Sequence, residues 1–121
     1  QSASSLIEIV GPGGVVAGPE NVDFSVSVLT TKVRSVNPRS AYLTGRHAGE
    51  EFRSDERLIL SRGLETGRSE YGTESFENAL RVLSPDAVCL KDTKEQEVAE
   101  VLINVGYKEI GNDGFCRMWV E

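Results

Sequence analysis

Residues 22–33 read VDFSVSVLTTKV. Phe24, Val26 and Val28 alternate with Ser25 and Ser27, and a period of two marks a strand with one buried and one wet face. Such a strand fits an antiparallel sheet better than a parallel sheet covered on both sides. Toward the N-terminus, SLIEIV at 5–10 reads as a first strand, halted by GPGG at 11–14. GPEN at 18–21 reads as a further turn.

Downstream, Asn37-Pro38 breaks structure, RSAYLTG at 39–45 offers a short strand, and GRHAGEEF at 45–52 reads as loop. SDERLIL at 54–60 has a helix start, with Ser54 as N-cap and Asp55 and Glu56 in the first turn. RLILS at 57–61 would equally make a buried strand, and the pattern leaves both open. RGLETGRSEYGT at 62–73 is glycine-spaced and polar, the signature of an exposed loop.

The C-terminal half is clearer. Thr73 can cap a helix over about 74–83, in which Phe76, Ala79, Leu80 and Leu83 fall on one stripe before Pro85. DAVCL at 86–90 is a short strand. Asp92 with Glu95 and Thr93 with Gln96 form two overlapping capping boxes for a helix over about 94–105. Val98, Val101, Leu102 and Val105 make its apolar stripe, and Gly106 stands at the C′ position. The expected fold is therefore α+β in a single domain, 1–121. A mainly antiparallel sheet carries the two helices on one face, and a β-hairpin, 107–120, closes the chain.

The hairpin admits two registers. A two-residue turn at Asn112-Asp113 sets Lys108 opposite Arg117, which like charges disfavour. A three-residue loop ending in Gly114 pairs Ile110 with Cys116, Glu109 with Arg117, and Tyr107 with Trp119, and is preferred. Ile110, Cys116, Met118 and Val120 then face the helices, while Tyr107, Phe115 and Trp119 share the other face with Glu109 and Arg117. Either a second layer covers these aromatics, or they form an exposed patch of residue types favoured in protein recognition.

Cys89 and Cys116 fall in strands that the intervening helix can bring side by side. An oxidising compartment would join them, closing a loop worth about 3–4 kcal/mol in the chain-entropy account. In a cytosol they would be buried thiols. With His47 the one histidine, no zinc signature is present.

The net charge of −6 is uneven. Residues 1–31 hold three acids and no base, 32–68 carry +3, and 69–121 carry −6. Seven of the eight bases in 32–68 are arginines, including Arg46, Arg53 and Arg57. They are either interleaved surface or a face for phosphate or carboxylate. The overall charge disfavours nucleic acid, for which this section offers the route. The loop around Arg46 and His47, with Glu50 and Glu51, is where a binding or active loop would sit.

No apolar run is long enough to span a membrane. GPGG lacks the following helix and the Lys-Ser/Thr of a phosphate loop. A strand, KEQEVAEVLINV at 94–105, GYKEIG at 106–111 and a closing strand resemble the tail of GNAT-type acetyltransferases over about a quarter of the chain. The family's Gln/Arg-x-x-Gly-x-Gly/Ala acetyl-CoA loop has no counterpart, since GRHAGEE is differently spaced. A start at Gln1 rather than Met reads as upstream processing.

The leading expectation is a small non-catalytic protein-binding module without cofactor, secreted and disulfide-bonded, of the effector, toxin-component or inhibitor kind. Tyr107, Phe115, Arg117 and Trp119, or Arg46, His47 and Arg53, would make its contacts. The alternatives are an intracellular (cytoplasmic) viral or regulatory interaction protein using the Arg-rich section, and a small acetyltransferase-like enzyme.

Overall fold

A computed structural model of the chain describes residues 2–36 and 55–121. Within them the order is α1 (Ser2–Val10), β1 (Val15–Ala17), α2 (Glu20–Leu29), β2 (Arg34–Ser35), α3 (Asp55–Thr66), α4 (Thr73–Leu83), β3 (Ala87–Lys91), α5 (Glu97–Val105), β4 (Lys108–Asn112) and β5 (Cys116–Val120). The class is α+β. The sheet is mixed rather than mainly antiparallel, in the order β2-β1-β3-β5-β4. β2 and β3 both run parallel to β1, whereas β5 runs antiparallel to β3 and to β4.

The largest departure from the sequence reading is at the N-terminus, where both expected strands are helices. In α1, Ala3, Leu6, Ile7 and Val10 turn toward the sheet at i, i+3, i+4 and i+7. In α2 the alternating valines resolve into two helical pairs. Val22 and Val26 are buried against the sheet, while Phe24 and Val28 are exposed. Pro19 stands at the N-cap with its carbonyl accepting from the Val22 and Asp23 N–H groups, and Glu20 and Asp23 occupy the first turn. Alternation over seven residues cannot distinguish a strand from a helix that is apolar on two sides.

Helices therefore cover both faces. Alternate residues of β3 divide between two cores. Val88 and Leu90 join Leu60, Leu64, Phe76, Leu80, Leu102, Tyr107 and Trp119 beneath α3, α4 and α5. Ala87 and Cys89 join Leu6, Val16, Val22, Val26, Val33 and Cys116 beneath α1 and α2. The two expected helices thus pack on the Trp119 face, and the face of Cys116, Met118 and Val120 meets α1 and α2 instead. Ile110, expected inward, is about half exposed.

RLILS is helical, since α3 places Arg57, Leu60, Ser61 and Leu64 on one buried stripe. The expected loop 62–73 begins as the last turns of that helix. Gly63 is there because a Cβ at this position would stand 2.6 Å from Cδ1 of Phe76. The expected cap Ser54, the strand 39–45 and the loop 45–52 lie outside the described residues.

α4 and its buried Phe76, Ala79, Leu80 and Leu83 follow the expected stripe, with Gly72 rather than Thr73 as N-cap. α5 starts three residues later than expected, and neither capping box forms. Its start is tied to the α3–α4 turn instead, through one backbone amide and one side chain. The Gly67 carbonyl accepts from the Val98 N–H at 3.1 Å, and the Glu97 carboxylate accepts from the Ser69 N–H and Oγ at 2.6 and 2.9 Å. These bonds hold the Glu97 carboxyl below its ordinary pKa. Gly106 closes α5 at φ 116°, a left-handed position that suits glycine.

The hairpin forms with neither expected register. Asn112 pairs with Arg117 and Glu109 with Trp119, with a bulge between Glu109 and Gly111. Asp113 donates its N–H to the Cys116 carbonyl, leaving Gly114 and Phe115 at the tip. The Asp113 carboxylate accepts from the N–H groups of Phe115 and Cys116 at 3.0 and 2.8 Å. That side-chain anchor tightens the turn beyond what cross-strand pairing alone suggested. Cys89 and Cys116 lie on neighbouring strands as expected, at disulfide distance with Cα atoms 5.2 Å apart.

Gly63→Ala should cost about 1–2 kcal/mol in urea unfolding, because overpacking against Phe76 outweighs the better helix propensity of alanine. Combining it with Phe76→Leu should recover part of that loss; additive losses would show that the two positions do not meet.

Candidate functional site

Shape and apolar exposure single out the layer of α1 and α2. A groove of about 500 Å³ runs along α2 and past the first turn of α1, with Phe115 of the hairpin tip on its wall. Phe24, Val28 and Leu29 line it and are 39, 56 and 58 % exposed. Ser2, Ser4, Asn21 and Ser25 add hydroxyl and amide groups to the lining. The apolar members come from positions 24, 28 and 29, so one helix presents them at i, i+4 and i+5.

The groove is fixed at the hairpin end. Ser2 Oγ donates to Asp113 Oδ2 at 2.5 Å, tying the start of α1 to the turn that carries Phe115. The Asp113 carboxyl is held below its ordinary pKa, first by the Ser2 hydroxyl and then by the N–H groups of Cys116 and Phe115. Phe115 is flanked by Lys91, whose Nζ lies 5.9 Å from the ring centroid.

Of the described residues expected to bind, Phe115 alone lines this groove. Tyr107 and Trp119 are 3 and 2 % exposed and belong to the core under α3–α5, so a second layer covers them and no exposed aromatic patch forms there. The Tyr107 hydroxyl donates to the Pro85 carbonyl at 2.6 Å. Burial first, then Glu121 and Asp86, push its pKa well above the ordinary value. Arg117 roofs Trp119 with its guanidinium 5.3 Å from the ring centroid. It donates to both Glu109 oxygens, Nε at 2.9 Å and Nη2 at 3.0 Å. The expected charge pair is thus present, but as a diagonal across the ladder. Arg46, His47 and Arg53 lie outside the described residues.

Two described arginines of the Arg-rich section are engaged within the fold. Arg57 is fully buried, with Nε donating to the Val36 carbonyl, and Arg62 binds Glu70 at 3.1 Å. Near the carboxyl end of β2, Ser27 and Ser35 share a hydrogen bond of 3.1 Å, and Ser27 Oγ also donates to the Asp23 carbonyl. Asp23 is buried as well. Among the described residues no group of three or more His, Cys, Asp or Glu is placed to hold a metal, and no helix is long and apolar enough to cross a membrane.

Sequence reasoning missed Phe24, Val28 and Leu29 because it placed them in a strand. The signal was present in Pro19-Glu20 and Asp23, which mark a helix start. No protein-family model, curated protein or solved structure matches the chain.

Because the Asp113 pKa is lowered on folding, its contribution is present above the ordinary carboxylate pKa and is lost as pH falls through the folded value. Asp113→Asn should therefore flatten the acid limb of the stability–pH curve below about pH 4, by under about 1 kcal/mol given its exposure. Parallel curves for the two proteins would refute this.

Proposed function

We propose that the chain is a small non-catalytic protein-binding module, and that the α1–α2 groove is its contact surface. The observation that carries this reading is the exposure of Phe24, Val28 and Leu29 along a groove walled by Phe115. Aromatic and aliphatic side chains spaced along one helix suit an apolar partner helix, whose own residues at i, i+3 and i+4 would enter the groove. The hydroxyl and amide rim would fix its orientation. The buried pair of cysteines at disulfide distance supports a secreted setting for this module, where such a bond persists.

The test is selection of amphipathic helical peptides from a display library on the full chain, followed by chemical-shift mapping. The expected result is perturbation of Phe24, Val28, Leu29 and Phe115, with affinity lost at least about tenfold in Val28→Glu. Ile103→Glu, at an exposed site of α5, should change nothing. Binders that map elsewhere, or none at all, overturn the reading.

A second reading, of a small-ligand protein or enzyme, has one observation in its favour. After β1 the chain crosses to β2 through α2 on one face, whereas α3 and α4, which precede β3, lie on the other. Open sheets with such a switch between neighbouring parallel strands take ligands beyond their carboxyl ends. Nucleotides and acetyl-CoA at about 100 times Kd would raise stability by ~2.7 kcal/mol and shift the melting temperature by several degrees. An unchanged melting temperature across the panel at millimolar ligand removes this alternative.

A further inference from the structure

Cys89 and Cys116 are both 0 % exposed, and what covers them is specific. Their core contains Ala3 and Leu6 of α1, and Val22 and Val26 of α2, with Ile7, Val10, Phe115, Met118 and Val120 packed at its margin. A sulfur nucleophile coming from solvent on this face must displace α1, α2 or both. The opposite face offers no route, because there Phe76, Leu80, Leu102 and Trp119 lie beyond the sheet itself.

The two layers are not equally anchored. Apolar stabilisation scales with the area buried. α1 and α2 commit alanine, leucine and valine side chains, while α3–α5 commit five leucines and a phenylalanine against Trp119 and Tyr107. α2 also leaves Phe24, Val28 and Leu29 outside any core. Among the described residues, the side-chain hydrogen bond that ties α1 to the hairpin is Ser2–Asp113, at the helix end. Stability within a fold is graded, and segments with small buried side chains open before the global transition.

We propose that the α1–α2 layer is a gate to the Cys89–Cys116 disulfide. A dithiol reductant reaches the bond when these helices detach locally while the α3–α5 layer stays packed. In the step itself a reductant thiolate attacks one sulfur and breaks the S–S bond. This gives a mixed disulfide and a cysteine thiolate, which takes up a proton. The second thiol of the reductant then displaces the protein sulfur, leaving two protein thiols and a cyclic disulfide of the oxidised reductant. The protein loses its cross-link between the parallel half of the sheet and the hairpin, so redox state is coupled to the hold of β5 on β3.

Reduction of the full chain by dithiothreitol under native conditions, quenched by alkylation and read by intact mass, tests the gate. Ser2→Ala and Leu6→Val, which loosen the layer, should each speed reduction by about three- to tenfold. Phe76→Leu, in the opposite layer, should lower the urea midpoint yet leave the reduction rate within about twofold, because its contacts persist in the open state. Amide exchange should place α1 and α2 among the fastest helical segments. The proposal is overturned if all three variants speed reduction in proportion to their loss of global stability. It is equally overturned if Ser2→Ala and Leu6→Val leave the rate unchanged, or if protein purified without reductant carries two alkylatable thiols.

Discussion

β3 is the strand on which both halves of this protein are assembled. Ala87 and Val88 pair with β1 in parallel on one side, and all five residues pair with β5 in antiparallel register on the other. Its side chains alternate between the two cores, Ala87 and Cys89 on one face, Val88 and Leu90 on the other. A strand buried on both faces must be apolar throughout, and AVCL is. Because β3 is filled on both sides, α1–α2 and α3–α5 are each required to remove one of its faces from water. At about 25 cal/mol per Å² of apolar area, leaving either face bare would be untenable for a domain of this size.

The cross-strand cysteine pair, Trp119 and the hairpin all take their positions from that strand. β5 lies against β3 over five residue pairs, which places Cys116 beside Cys89 on one face and Trp119 on the other. Arg117, between them in sequence, lies over the Trp119 ring and binds Glu109 of β4. A guanidinium 5.3 Å from the ring centroid and paired bidentately with Glu109 of the edge strand β4 covers Trp119 and leaves no aromatic surface there for a partner. On α2, by contrast, the apolar side chains of Phe24, Val28 and Leu29 stay exposed after the sheet-facing stripe is satisfied.

Some of this was legible in the sequence. The stripe Phe76, Ala79, Leu80 and Leu83, the stripe Val98, Val101 and Leu102, the strand DAVCL and the closing hairpin are local patterns whose periods admit one interpretation. Adjacency of Cys89 and Cys116 followed from the length of the connection between their strands. The hairpin register did not follow, because Asp113 anchors the turn through backbone amides that cross-strand pairing rules do not count. The starts of α4 and α5 were misjudged for a related reason. Gly72 is the N-cap of one, and the Gly67 carbonyl meets the Val98 amide of the other, so the side chains of Thr73, Asp92 and Thr93 were not needed as caps.

By itself, then, the sequence determined which segments at the C-terminal end are helix and strand, the α+β class and the adjacency of Cys89 and Cys116, since the first rests on local periodicity and the last on the one helix that returns the chain between their strands. Tertiary structure decided α1 and α2, because the alternating apolar pattern of 22–28 outweighs the short helix-start signal of Pro19, Glu20 and Asp23. VDFSVSVL carries apolar residues at every second position, a pattern that a strand satisfies on one face and a helix satisfies on two. The choice fell to helix because the exposed side of Ala87, Cys89 and Cys116 needed a layer of cover, and α1 and α2 supply it. The cost of that solution is the apolar edge of Phe24, Val28 and Leu29 left facing water.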